Sequence, residues 1–399
     1  MRRNEWPLVI LILAVGVAYW NLLLPSPLQP YIAVDLGISL GAAAQLVTVS
    51  AGAAVGALLV YNQRGALVPP KFIILFGLGS LTLGSYLASR TDDYEMLMAF
   101  RVFNGLADGI IYPAAWVALA HYLPRERLGF GNQWILIGTA LSSMIGIPLT
   151  NHWAGGGDWH IAFRWFSLAG VGMTALSGAL FFAKEYPIPR SQGGGIRLIL
   201  QNRRLSRLLA ANVFVAVSWF GAITFVGGFL ARTYEPSVNN VSWFFGLAGA
   251  AFTAGTFIYS RNPAARRNIL LVTDALSIPL VVAFFAITGG FWYSVIIAGI
   301  FAFFRASGLV IRETMLLEET EQAAARIAGI TTVELSTYLG TFGAALTGGI
   351  VLSQATYTLI GVLLAACALL SLAFQLLAGT DSTKPTTEHR IQPIKAEVS

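Results

Sequence analysis

Phe100-Arg101-Val102-Phe103-Asn104-Gly105-Leu106-Ala107-Asp108 places three polar side chains, two of them ionisable, inside an apolar run from 96 to 120. A run of that length crosses a bilayer as a helix, which takes about 20 residues. On such a helix Arg101, Asn104 and Asp108 share one face. Lipid would not solvate that face, so it turns into a bundle of other helices. The pattern returns at an offset of 204 residues, as Phe304-Arg305 with Gly308-Leu309 in the run from 290 to 311.

Two more pairs follow the same order. Tyr61-Asn62-Gln63-Arg64 matches Tyr259-Ser260-Arg261 at an offset of 198, and Gly138-Thr139 with Gly146 matches Gly340-Thr341 with Gly348 at an offset of 202. Three matches at nearly one offset point to a duplicated unit, the plan of many secondary transporters. Apolar runs recur at 7–31, 40–60, 72–89, 96–120, 130–151, 161–183, 208–231, 241–260, 269–288, 290–311, 327–352 and 355–379. The expected fold is therefore an all-α integral membrane protein of twelve transmembrane helices in two six-helix halves. The halves are expected at 1–183 and 208–379, with a central loop at 184–207 around Gly193-Gly194-Gly195 and a polar, disordered tail at 380–399. Pro25, Pro27 and Pro113 fall inside runs, where neighbouring helices can satisfy the freed backbone groups. No small-residue cleavage site follows the first run, so it is expected to be retained.

Composition agrees. Of 399 residues, 56% are hydrophobic and 11% charged, and mean hydropathy is +0.69. A soluble domain carries about 25% charged residues, so a soluble enzyme, a disordered protein and a DNA-binding factor are all disfavoured. One Cys and four His leave no disulfide scaffold and little for a metal centre. No Gly-Lys-Ser/Thr phosphate-binding string is present, which argues against an ATP-driven pump. With Arg2 and Arg3 placed in the cytoplasm, twenty of the 25 Lys and Arg fall on that side, while Arg90, Arg164 and Arg232 fall on the other. By the positive-inside rule both termini and the central loop are cytoplasmic. The net charge of +6 is scattered over loops rather than gathered on one face, so no nucleic-acid partner is expected.

At this point the sequence resembles a family. Leu28-Gln29-Pro30-Tyr31-Ile32-Ala33-Val34-Asp35-Leu36-Gly37, Arg101 to Gly109 with Pro113-Ala114, and Pro124-Arg125-Glu126-Arg127 are similar to motifs of the major facilitator superfamily. So are Gly138 to Gly146-Ile147-Pro148 and Asp158-Trp159-His160-Ile161-Ala162-Phe163. The pattern is closest to bacterial drug and metabolite efflux permeases and covers residues 7–379. Between spans 2 and 3 the family expects Gly, Asp, Arg and Gly followed by basic residues. This chain has Tyr61-Asn62-Gln63-Arg64-Gly65-Ala66-Leu67-Val68-Pro69-Pro70-Lys71, without the acid of the usual gate latch.

Candidate site residues come from polar groups in apolar runs. Asp108 and Glu334 are the proton-coupling candidates; each also reads as a structural or interface charge. Arg101, Asn104, Arg305, Asn21, Tyr19, Asn212 and Trp219 are the substrate-cavity candidates, because the resemblance places spans 1, 4, 7 and 10 around a central cavity. Arg101 and Arg305 could clamp an anion between them; alternatively Arg101 tunes Asp108, and Arg305 snorkels or pairs with Asp274. Asp274 itself reads as structural. Gly138, Gly146, Pro148 and Gly340 are packing or pivot positions. Trp20, Trp153, Trp159 and Trp243 read as interface belt residues. Asp92-Asp93 with Glu95 has no expected acidic partner, so no metal is expected, and Glu313, Glu318, Glu319 and Glu321 read as a solvated segment.

The expected function is secondary active transport of a small organic molecule by alternating access, as proton-coupled efflux. The alternatives are proton-coupled uptake of an organic anion and a non-transporting, transporter-like sensor or scaffold. The chain is expected to act without cofactor, as a monomer in the bacterial inner membrane, with lipid, a small-molecule substrate and the proton as partners.

Overall fold

The computed structural model describes residues 6–64, 68–122, 128–155, 157–180, 195–235, 237–258, 263–323, 326–354 and 356–381. Every regular element among them is helical. In a hydrocarbon slab each backbone N–H and C=O must be satisfied within the segment, and a helix does this alone.

The first traversal is α1 (Trp6–Leu23) followed by α2 (Pro25–Asp35), with the joint at Leu24 ahead of Pro25. Next come α3 (Leu40–Arg64), α4 (Pro70–Ala88) and α5 (Tyr94–Tyr122). The fifth traversal is α6 (Leu128–Leu141), a π-helical turn (Ser142–Gly146) and α7 (Ile147–Trp153); the sixth is α8 (Trp159–Leu180). A short α9 (Gly195–Gln201) precedes α10 (Arg203–Tyr234), α11 (Val238–Thr256), α12 (Pro263–Ala286), α13 (Phe291–Ala323), α14 (Arg326–Gln354) and α15 (Tyr357–Asp381). Twelve traversals result. Ten of these helical stretches are long and apolar enough to cross a membrane. The other two, α8 and α11, carry His160 and Arg164, and Asn239, Asn240 and Ser242 respectively.

Several elements outrun the apolar runs that predicted them. The tenth traversal was expected to end at 311, yet α13 continues to Ala323 and carries Glu313, Glu318 and Glu319 on a helix. Arg204 donates to Glu319 at 2.8 Å and Arg266 to Glu318 at 3.1 Å. The expected central loop contains α9 and the start of α10, whose N-terminus is capped by Asn202 accepting from the Arg204 and Leu205 N–H groups. Gly193, Gly194, Ser191, Arg125, Arg127, the Gly65–Leu67 loop, Tyr259 to Arg261 and the tail beyond 381 lie outside the described residues.

The π turn has a physical cause. Pro148 lacks an N–H, and in a regular helix its ring would press on the carbonyl of Met144, four residues earlier. One extra residue in the turn relieves this, with the Ile147 N–H bonding the Ser142 carbonyl.

The two halves meet along two seams. On one, α3 lies along α14, where Thr331 donates to Asn62 Oδ1 at 2.8 Å. On the other, α11 lies along α6, the π turn and α7, where Gly249 packs on the Met144 backbone and Asn151 donates to Ser242 Oγ at 3.3 Å. A Cβ at Gly249 would overlap that backbone, so glycine is what permits the approach.

Candidate functional site

The face of α5 that carries Arg101 and Asp108 is buried in the N-terminal half. Arg101 is 0% exposed, and its Nη1 donates to the Asn21 carbonyl and side-chain oxygens at 3.1 and 3.2 Å. Asn104 Nδ2 donates to the same Asn21 Oδ1 at 3.1 Å, and Asn21 Nδ2 donates to Asp108 Oδ2 at 3.1 Å. Asn21, on α1, thus stands between the guanidinium and the carboxylate. An amide serves here because it offers an acceptor to one group and a donor to the other. Arg101 Nε and Nη2 and Asp108 Oδ1 find no partner among the described residues, so this buried network is only partly satisfied.

The pseudo-symmetric position in the C-terminal half is solved with charge. Arg305 Nη2 donates to Asp274 Oδ1 at 3.1 Å. Arg312, one helical turn pair further along α13, and Gln375 of α15 both donate to Asp274 Oδ2. Ser371 lies 3.5 Å from the same oxygen and also donates to the Ala211 carbonyl at 2.9 Å. Asp274 therefore gathers α12, α13 and α15. The structure does not bring Arg101 and Arg305 together: each belongs to a separate hydrogen-bond network. An anion clamp built from both would have to take them out of those networks.

Between the halves lies a cavity of about 520 Å³. It is lined by Tyr19 of α1, Tyr112 of α5, Thr139 of α6, Trp219 of α10, Glu313 of α13, and Glu334 and Tyr338 of α14, together with further apolar and Thr side chains. Of the expected cavity residues, Tyr19 and Trp219 line it and Arg101, Asn104 and Asn21 do not. Asn212 and Arg305 line a neighbouring cavity of about 300 Å³, where Asn212 Nδ2 donates to Ser336 at 2.8 Å. Of the two proton-coupling candidates, Glu334 faces the central cavity and Asp108 stays in the Asn21 network. Tyr112 and Tyr338 meet edge to face across it, with ring centroids 6.5 Å apart.

Glu313 corrects the sequence expectation. It is not part of a solvated segment; because α13 continues beyond its apolar run, Glu313 is carried onto the cavity wall beside Leu309, one turn earlier. Ser371 and Gln375 were missed as well. Their signal was a pair of polar residues four apart inside the apolar run of span 12.

Small residues sit where helices touch. A Cβ on Gly138 would overlap the Ile12 carbonyl, one on Gly146 the Trp20 ring, and one on Gly340 the Val213 carbonyl. Pro148 is the second residue of α7, just after the π turn. The two halves are also tied on the face opposite the chain termini. Ser26 donates to the Ile223 carbonyl and Gln29 Nε2 to the Thr224 carbonyl at 2.8 Å. Thr224 follows Trp219 along α10, so this α2–α10 seal lies between the cavity and that face.

Two further expectations are corrected. Trp20 and Trp159 are buried rather than belt residues: Trp20 donates to Thr150 at 2.8 Å and Trp159 to Asp35 at 2.8 Å. Asp92 is not alone either. His160 Nε2 lies 3.1 Å from Asp92 Oδ1 and Nδ1 lies 3.1 Å from Asp158 Oδ1, with Asp35 close by. Asp93 instead caps α5, accepting from the Met96 N–H at 2.8 Å. The cluster joins the ends of α2 and α4 to the start of α8.

Comparison with known proteins adds the following. The sequence profile of the Major Facilitator Superfamily matches residues 11–311. A chloramphenicol resistance protein of Streptomyces lividans is 28% identical over 267 residues, 63% of this chain and 64% of that protein. An uncharacterised MFS-type transporter of Bacillus subtilis (strain 168), YbcL, is 25% identical over 242 residues, 60% of this chain and 59% of that protein. The chain thus spans less than two thirds of either relative's own length. The fold is similar to a crystal structure of a bacterial homologue of the human lysosomal transporter Spinster in an inward-facing, occupied conformation. That likeness has a TM-score of 0.70 at 14% identity, covering 95% of this chain and 97% of the other.

Proposed function

The chain belongs to the Major Facilitator Superfamily, and from that premise we propose that it exports small organic molecules in exchange for protons, by alternating access across a bacterial inner membrane with both termini cytoplasmic. It is a multi-pass membrane protein of a transporter family rather than of an enzyme family. Efflux is favoured by the relative that carries chloramphenicol resistance in its name.

The observation that carries the reading is Glu334 on the wall of the cavity between the halves. A carboxyl group there binds and releases a single proton and meets whichever side the cavity opens to. Asp108 is the second coupling candidate and acts through Asn21, whose amide links it to Arg101. Rocking about the α3–α14 and α6–α11 seams, the second of which sets Gly249 on the Met144 backbone, would part the α2–α10 seal and turn the cavity to the other face, while Gly138 and Gly340 keep α6 on α1 and α14 on α10 within their own halves.

The test is uptake of a broad compound panel by inside-out vesicles with an imposed pH gradient. The wild-type chain accumulates at least one compound when the gradient is present and loses it when a protonophore is added. Glu334→Gln abolishes gradient-driven accumulation while keeping exchange of compound between the two sides. Full gradient-driven transport by Glu334→Gln, Asp108→Asn and the double variant would remove both residues as coupling sites.

A further inference from the structure

On the face that carries the chain termini, a cavity of about 400 Å³ lies among α10, α12, α13 and α15 of the C-terminal half, apart from the central one. Two arginines line it: Arg204, the second residue of α10, and Arg267, the fifth of α12. Gly379, near the end of α15, leaves the space into which the Arg267 guanidinium reaches. The neighbouring arginines are engaged. Glu319 holds Arg204 at 2.8 Å, Glu318 holds Arg266 at 3.1 Å, and Arg207 donates to the Leu377 carbonyl at 2.8 Å. Arg267 differs: it is exposed and makes no hydrogen bond or ion pair with any described residue. No carboxylate lines the cavity among the described residues. The two that bond its lining side chains are themselves paired, Glu319 with Arg204 and Asp274 with Arg305 and Arg312.

One helical turn further into α15, Gln375 adds a second polar group to the lining. It is 6% exposed; its Nε2 donates to Asp274 Oδ2 and to Ser371 Oγ, and its Oε1 has no partner among the described residues. A carboxylate only accepts, so Asp274 fixes which way the amide points. A buried carbonyl oxygen without a donor is costly. The cavity therefore asks for a hydroxyl or N–H beside Gln375 as well as an anion beside Arg267. The apolar stretches of α12 and α15 begin at 265 and end at 379, so Arg267 and Gly379 stand at their limits. Beyond that level, towards the middle of the membrane, Val272 and Leu276 of α12 and Leu376 and Leu377 of α15 are exposed. In a membrane protein such faces meet acyl chains, and the level at which they give way to arginine is that of the lipid headgroups.

We propose that this cavity binds the headgroup of a phosphatidylglycerol molecule from the surrounding leaflet. Its phosphodiester rests on Arg267, beside the N–H groups of Arg204 that Glu319 leaves open, and a glycerol hydroxyl donates to Gln375 Oε1. The acyl chains lie along the outer faces of α12 and α15. A phosphocholine headgroup has neither hydroxyl nor N–H and carries its own cation, so it meets neither demand. Through Gln375 the bound lipid is joined to Asp274, and so to the charge cluster that gathers α12, α13 and α15. Neither the transport reading nor the direction in which the chain sits in the membrane enters this inference.

Native mass spectrometry of the delipidated full chain, titrated with lipids of identical acyl chains, tests this. Phosphatidylglycerol is expected to bind about fivefold more tightly than phosphatidylcholine, the effect of one arginine near a membrane surface. Phosphatidylmethanol, anionic but without a hydroxyl, is expected to fall about 2- to 12-fold below phosphatidylglycerol. Glycerol phosphate, which has the headgroup chemistry but no acyl chains to bury, is expected not to displace the lipid at equal concentration. Arg267→Gln brings phosphatidylglycerol down to the level of phosphatidylcholine. Arg203→Gln removes the same charge from an exposed position at the start of α10 that does not line the cavity, and leaves the affinity unchanged. Equal binding of phosphatidylglycerol and phosphatidylcholine by the wild type would overturn the proposal, as would an unchanged affinity in Arg267→Gln or an equal loss in both variants. Phosphatidylmethanol matching phosphatidylglycerol would remove Gln375 from the site. Displacement by glycerol phosphate at equal concentration would give the cavity to a soluble phosphate ester instead of a lipid.

Discussion

Asp274 is 1% exposed and sits between Arg305 and Arg312, themselves 3% and 2% exposed. One carboxylate faces two guanidinium groups, and Ser371 and Gln375 occupy the remaining approach to its second oxygen. Removing one member of a buried ion pair leaves uncompensated charge, which costs about 3–5 kcal/mol. Asp274→Asn is therefore expected to lower the thermal unfolding midpoint of the purified protein by on the order of 5 °C. Asp93→Asn, at an exposed helix cap, serves as the comparison and is expected to move it far less. Equal midpoints for Asp274→Asn and the wild type would show that the charge cluster does not hold α12, α13 and α15 together. In the other half Asn21 does the joining with a neutral amide, so that network keeps one cation and one anion apart by a single side chain.

At the level of elements, α2 and α10 form the seal on the face opposite the termini. Its polar part consists of Ser26 and Gln29 side chains donating to α10 carbonyls. Each such bond contributes about 0.5–1.5 kcal/mol net, so loss of both shifts a two-state equilibrium by about 5- to 150-fold. The double variant Ser26→Ala, Gln29→Ala is expected to populate the state open on that face more than the wild type. Spin labels at Arg90 and Thr288, both exposed near that face on different halves, read it as a longer distance component. An unchanged distance distribution would assign the seal to apolar packing rather than to these side chains. The π turn is the matching feature of the other seam. It removes the clash that Pro148 would cause and sets the Met144 backbone against Gly249.

At the level of the whole molecule, the proposed orientation, with both termini cytoplasmic, rests on the Lys and Arg bias, since positive loops stay on the cytoplasmic side. Single cysteines at Ser191 and Asp158, in a chain whose native Cys367 is replaced by Ser, test it. A membrane-impermeant maleimide added to intact cells is expected to label position 158 and to spare position 191. Labelling at 191 from outside would invert the topology and, with it, the side on which the α2–α10 seal lies.

The apolar runs and the repeat determined the twelve traversals and the doubled plan, because lipid demands about 20 consecutive apolar residues wherever the chain crosses it, and that demand is local in sequence. Arg101, Asp108, Arg305 and Glu334 stood out for the same reason, as ionisable groups inside such runs. Which of them faces which was not legible, since a helix in a bundle has several buried faces and polarity alone does not choose among them. Only the packing of α1 on α5 made Asn21 the partner of Arg101 and Asp108, and only the meeting of α12, α13 and α15 drew Arg305 and Arg312 onto Asp274. Glu313 stayed hidden because the apolar run ends at 311 while the helix does not. Its backbone bonds continue to Ala323, and the helical repeat sets Glu313 one turn beyond Leu309 on the cavity wall. The central cavity belongs to no segment at all: it is the space left where helices from both halves fail to close, and that space exists only once the halves are packed.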